Sequence, residues 1–178
     1  MTKNNKIYDK TPSETVGPFC GSYLKFNFSK KTDTNFKEKI ENKIILNINL
    51  KDKKKQLVKD AFVECWQVLQ SNSKLIYFDR VNYNTKKKSY LISLNEYKSD
   101  TILYITIFAR GLLNHLNTII YLEDKNFYKK DTYYNKIPIE RRKFMLARLE
   151  RFTNNIKYYE HDLYLSGINE TVFFNYDN

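Results

Sequence analysis

Ile44, Leu46, Ile48 and Leu50 alternate with Ile45, Asn47 and Asn49. A repeat of two is the spacing of side chains on one face of a strand, so this run predicts a strand with one apolar face. Similar short runs recur along the chain, and they constrain its architecture more than any other feature. Ala61 to Val68 is aromatic and β-branched, Leu75–Phe78 and Tyr90–Leu94 are shorter, and Thr118–Leu122 follows a polar break at Asn114 and His115. Ile102 to Phe108 is almost continuously apolar, which suits a strand buried on both faces. Ile156 to Leu165 and Thr171 to Phe174 close the series.

Charged turns separate these runs. Residues 51–56 and the lysines at 86–88 read as solvated hairpin tips. One segment reads as helix: Pro138 at a first-turn position precedes residues 139–150, in which Met145, Leu146 and Leu149 form an apolar stripe. Arg141 and Arg148 fall on the opposite side, toward water. Arg142 falls on the stripe and must snorkel or find a carboxylate. Short strands with a single late helix predict an all-β sandwich rather than a βαβ fold. Residues 1–40 are mostly polar and read as an irregular N-terminal arm. Residues 41–178 read as the sandwich, in one domain.

The 178 residues are 42% hydrophobic and 16% aromatic, too apolar for a disordered tail. No apolar run approaches the roughly 20 residues that span a bilayer. Cys20 and Cys65 are too few for a disulfide scaffold, and no secretory apolar run follows the charged N-terminus. A cytoplasmic protein is therefore expected. The formal charge of +11 admits a basic module that binds anions or nucleic acid. Lysines scattered over tolerant surface positions account for it better, so no nucleic-acid or membrane partner is expected.

Sites with a local chemical signature are scarce. His115 and His161 form no HxH or HExxH arrangement, and a zinc site would need nearly all of His115, His161, Cys20 and Cys65 to converge. His161 and Asp162 are adjacent on a strand, where side chains point to opposite faces. The four glycines leave little material for phosphate cradles. Two features stand out. Residues 11–19, Thr-Pro-Ser-Glu-Thr-Val-Gly-Pro-Phe, hold two of the three prolines and form a shaped loop that can present backbone N–H groups. Arg110 ends an apolar strand in Phe108-Ala109-Arg110-Gly111, where it either meets an anion or snorkels to solvent.

These same features carry a resemblance. Residues 11–19 resemble the N-terminal signature of α subunits of the protocatechuate 3,4-dioxygenase family, which are intradiol ring-cleaving enzymes. Leu57 to Gln67, Ile105 to Thr118, Tyr121 to Asp124, Glu140 to Arg142 and Glu170 to Phe174 resemble further motifs of that family, in its order. The resemblance implies an intradiol-dioxygenase-type β-sandwich. It also implies a homologous β subunit that holds non-haem Fe(III) through two tyrosines and two histidines. There the catechol ring of protocatechuate opens to 3-carboxy-cis,cis-muconate. Aligned on residues 108–111, Ile102 and Tyr104 occupy the family's two histidine positions, and Tyr97 is the one remnant of its ligand-tyrosine loop. The resemblance thus implies that the chain holds no metal and has no catalytic residue of its own. Its implied role is to complete the partner's substrate pocket with Thr15, Gly17, Pro18, Phe19 and Arg110. The family usually has tyrosine where this chain has Phe19. A pseudo-subunit that only stabilises its partner is the other reading the resemblance allows.

Overall fold

The alternating run becomes a twelve-residue strand. In the computed structural model, which describes residues 31–32, 39–98 and 100–175, Ile44, Leu46, Ile48 and Leu50 are each no more than 1% exposed. Their neighbours Ile45, Asn47 and Asn49 are half-buried on the other face. The strands are β1 (Lys31–Thr32), β2 (Ile40–Lys51), β3 (Ala61–Leu69), β4 (Leu75–Asn84), β5 (Ser89–Tyr97), β6 (Thr101–Ala109), β7 (Leu116–Leu122), β8 (Leu146–Thr153) and β9 (Ile156–Tyr164). The fold is all-β, as the alternation predicts.

The ladders form two sheets, β1-β4-β3-β6-β7 and β8-β9-β2-β5. The expected β-sandwich is met in its two sheets, but these join at both sides and close β2–β9 into an eight-stranded barrel. One join is parallel, at Tyr121↔Leu146 and Leu122↔Ala147. The other is the β4–β5 hairpin, which pairs only near its tip, at Tyr83↔Tyr90 and Asn84↔Ser89. Beyond that the two strands part, β4 to β3 and β5 to β2. Where β5 has left β4, its carbonyls take side-chain donors from the facing sheet. Tyr77 Oη lies 2.8 Å from the Ser93 carbonyl, and Gln67 Nε2 lies 3.0 Å from the Asn95 carbonyl. Buried carbonyls need such partners.

The helix expected over 139–150 is also corrected. Residues Ile139–Met145 form a 3-10 helix, and the chain then enters β8. The stripe of Met145, Leu146 and Leu149 is real in sequence, but tertiary pairing overrides it. β8 is drawn into a hairpin with β9 by the turn at Asn154 and Asn155, whose φ angles of 51° and 58° are those of a type I′ turn. The only α-helix among the described residues is α1 (Thr132–Lys136), capped by Asp131. Arg142 is half-buried and donates to the carbonyls of Ile137 and Asn135, so it finds backbone oxygens rather than a carboxylate. Arg141 likewise bonds the Glu170 carbonyl instead of pointing free to water.

The two-sided burial expected of β6 holds only at its start, where Ile102 and Leu103 are both buried. Further along, Tyr104, Thr106 and Phe108 are half-buried. Residues 61–65 of β3 are the ones buried on both faces. Outer-face Phe62 stacks on Phe108 at 4.5 Å, and Glu64 pairs with Arg80. Thr171 to Phe174 forms no strand, only a bridge from Phe174 to Asn117.

Candidate functional site

Arg110 follows the last residue of β6 and is exposed. Its position is fixed by the backbone. Ala61 pairs with Ala109, the Arg110 N–H donates to the Asp60 carbonyl at 3.3 Å, and the Leu112 N–H returns to the Ala109 carbonyl at 3.2 Å. Gly111 makes this reversal with φ +88°, a left-handed angle that side-chain-bearing residues rarely adopt. A Cβ there would meet nothing within 4 Å, so the backbone angle and not space calls for glycine. The guanidinium of Arg110 makes no hydrogen bond or ion pair among the described residues. It is a cation held at the rim of the barrel, available to an incoming anion. Thr15, Gly17, Pro18 and Phe19 lie outside the described residues.

Ile102 and Tyr104 share one face of β6. Ile102 is 5% exposed and belongs to an apolar cluster with Ile119, Tyr121, Tyr128, Tyr134, Ile137 and Met145, against which Tyr104 packs. Burial pushes the Tyr104 hydroxyl up, and Tyr133 and Asp131 add to the rise. The acidic group nearest to a ligand role here, Asp131, serves the fold. It accepts from Tyr121 Oη at 2.8 Å and from the Tyr134 N–H at 3.0 Å. Tyr97 sits in a separate cluster with Leu69 and Ile76, its hydroxyl 3.4 Å from Asn95 Nδ2.

A ferric site of the kind that the resemblance places in the β subunit does not fit these residues. Isoleucine offers no lone pair, and Tyr104 is set against ionising. Among the described residues, no three His, Cys, Asp or Glu side chains converge. The two histidines are on different elements. His115 is exposed and stacks on Phe108 at 5.3 Å. His161 is 4% exposed on β9, with Nδ1 3.1 Å from the Leu146 carbonyl. Cys65 is fully buried on β3, and burial raises its thiol well above the ordinary value.

No protein-family model and no curated protein matches the sequence. Solved structures match in fold. The dioxygenase domain of a dioxygenase–carbohydrate-binding fusion from Streptomyces sp. SirexAA-E is 12% identical, with 88% of this chain and 99% of that one covered and a TM-score of 0.55. For 3-chlorocatechol 1,2-dioxygenase from Rhodococcus opacus 1CP the identity is 12%, the coverage 89% and 68%, and the TM-score 0.52. For catechol 1,2-dioxygenase from Pseudomonas arvilla C-1 the identity is again 12%, the coverage 75% and 54%, and the TM-score 0.52. The chain has the fold of these dioxygenases. Its dioxygenase fold extends over nearly all of the Streptomyces domain and about half of the Pseudomonas enzyme.

Two features of this dioxygenase fold carry no signal in single residues. One is an ion network around Glu96. Lys125 and Lys157 each lie 2.8 Å from Glu96 Oε1, and Asn42 donates to Oε2 at 2.6 Å. Lys157 also meets Asp124 at 2.7 Å. Its members are 115 positions apart at the extremes, between Asn42 and Lys157, and only the barrel brings them together. The other is a cleft of about 310 Å³, lined in part by Lys51, Lys143, Arg148, Asp162 and Tyr164, with His161 in its wall. Lys51 is paired with Asp162 and Arg148 with Glu150. Among the described residues, no helix is long and apolar enough to cross a membrane.

Proposed function

We propose that this chain is the non-catalytic partner in an intradiol dioxygenase, an α-type subunit that completes the substrate pocket of an iron-bearing β subunit. One observation carries the reading. The chain has the fold of the dioxygenases, Ile102 and Tyr104, which the resemblance sets at the family's histidine positions, are packed, and the same strand ends in an exposed arginine without a partner among the described residues. In this reading the Arg110 guanidinium takes the carboxylate of protocatechuate in a charge-assisted and bidentate contact. Thr15, Gly17, Pro18 and Phe19 shape the adjoining wall. Fe(III) stays in the partner, where it supplies the activation of the ring toward oxygen. This chain binds and orients the substrate's carboxylate end, and the product is 3-carboxy-cis,cis-muconate.

Arg110→Ala tests this in the complex co-expressed with an iron-bearing homologue. A hydrogen-bonded charge contact is worth about 1.5–3 kcal/mol. The KM for protocatechuate is therefore expected to rise roughly tenfold to a hundredfold. The KM for plain catechol, which has no carboxylate, stays within about twofold by the same reasoning. Equal effects on both substrates would remove the carboxylate contact. Unchanged kinetics would reduce the chain to a stabiliser of its partner.

A further inference from the structure

The barrel gathers at one end basic turns that lie far apart in sequence. β2 ends at Lys51, and the turn after it carries the lysines at 53–55. Ile48 pairs with Tyr90, so the β4–β5 tip with the lysines at 86–88 stands beside that turn. The Tyr90 hydroxyl donates to the Val58 carbonyl, and Lys59 Nζ sits 6.0 Å from the Tyr83 ring centroid. The Arg110 N–H bonds Asp60. The end of β9 joins them: the Leu165 N–H donates to the Lys51 carbonyl, and Gly167 lies against Lys53.

The connections at 52–60, 85–88, 110–115 and 165–170 therefore share one end, with eight cationic side chains against three carboxylates. All eight cations are exposed, and none forms an ion pair among the described residues. One of the three carboxylates, Asp52, is taken up by the N–H groups of Lys54 and Gln56. At the other end, by contrast, Lys125 and Lys157 are matched by Glu96 and Asp124. The two lysine-bearing turns have defined backbones, since Lys55 and Lys88 both hold left-handed angles, φ 62° and 55°.

We infer that this end is the docking face for the acidic surface of a partner protein. This rests on the proposed function, since Arg110 lies within it and must reach a partner's pocket. Lysines alone would suit a phosphate backbone equally. Leu113 and Ile168, 75% and 98% exposed, stand on the connections of the same end. Exposed aliphatic side chains on the same end as these charges suit a protein contact, which combines an apolar centre with a polar rim. A second copy of this chain would bring cations against cations, so the partner is a different chain carrying carboxylates.

The test is lysine acetylation footprinting of the chain, alone and in complex with the co-expressed iron-bearing homologue. Protection of the lysines at 53–55 and 86–88, with Lys39 and Lys43 still reactive, is the expected result. Replacing the six clustered lysines with glutamate is expected to weaken association more than tenfold at 0.1 M salt and to leave thermal stability unchanged. Glutamate at Lys39 and Lys43 is expected to change neither. A complex that leaves the lysines at 53–55 and 86–88 reactive overturns the docking face, and the Arg110→Ala kinetics then decide the proposed function separately. Failure to form any complex overturns both. Retention of the isolated chain on duplex DNA through the same lysines, at salt that releases it from the homologue, assigns the end to nucleic acid and overturns the inference.

Discussion

Glu96→Gln should cost about 3 kcal/mol of stability, the low end of what is lost when one member of a buried ion pair is removed. Glu96 is 3% exposed and carries two ammonium groups on one oxygen. Burial pushes its carboxyl up, but the hydrogen bonds from Lys125, Lys157 and Asn42 outweigh that and hold it below the ordinary value. An amide would leave Lys125 with only the 3.7 Å contact to Glu41, and Lys157 with Asp124 alone. Four segments would loosen together, because the network joins β2 and β5 to β9 and to the turn after β7. Glu41→Gln is the control: at 41% exposure this pair is worth less than about 1 kcal/mol. Urea denaturation at pH 7 measures both, and equal small losses would show that Glu96 is solvated in solution. The linkage has a definite sign. A carboxyl depressed in the folded state adds stability that is present above its unfolded pKa and lost as pH falls through the folded one. Part of the acid sensitivity below about pH 4 should therefore disappear in Glu96→Gln.

His161 sets a second pH dependence at higher pH. The Leu146 carbonyl accepts from Nδ1, so the neutral ring carries its proton there, and buried Nε2 has no partner among the described residues. Burial lowers the pKa to about 4; the Leu146 carbonyl and neighbouring Asp162 oppose that shift without cancelling it. The unfolded chain therefore takes up a proton near pH 6.5, while the folded chain refuses it until about pH 4. Stability should fall through that window, by about 2 kcal/mol from pH 7 to pH 5 and about 3 kcal/mol by pH 4. His161→Gln keeps a donor for the carbonyl and removes the titration. Its stability should be nearly flat from pH 7 to pH 5. Denaturation curves at pH 7, 6 and 5 would show this, and parallel slopes for the two proteins would mean that His161 is protonated in the folded state.

The strands were legible because each needs only local alternation. The run at 44–50, the aromatic run from Ala61 and the lysine tips all fall where the periods place them. Closure was not legible, since it depends on β4 and β5 parting after two pairs and on two parallel pairs between β7 and β8. Residues 139–150 misled for a specific reason. Met145, Leu146 and Leu149 satisfy a helical period, but the Asn154-Asn155 turn decides the outcome from outside the stripe. Arg110 was visible as a cation ending an apolar strand. That it shares an end with two lysine triplets was hidden, because the strand register that gathers them has no trace in any one of the segments.

The seam between β4 and β5 has a consequence for how this molecule can grow. Tyr77 and Gln67 occupy the carbonyls that a foreign strand would need in order to extend the second sheet. Lateral addition there must first displace a buried phenol and a buried amide, which makes strand-swapped or fibrous polymers costly. Among the described residues, the loops at the barrel's ends carry no such plug, and sequence can vary there without disturbing the walls.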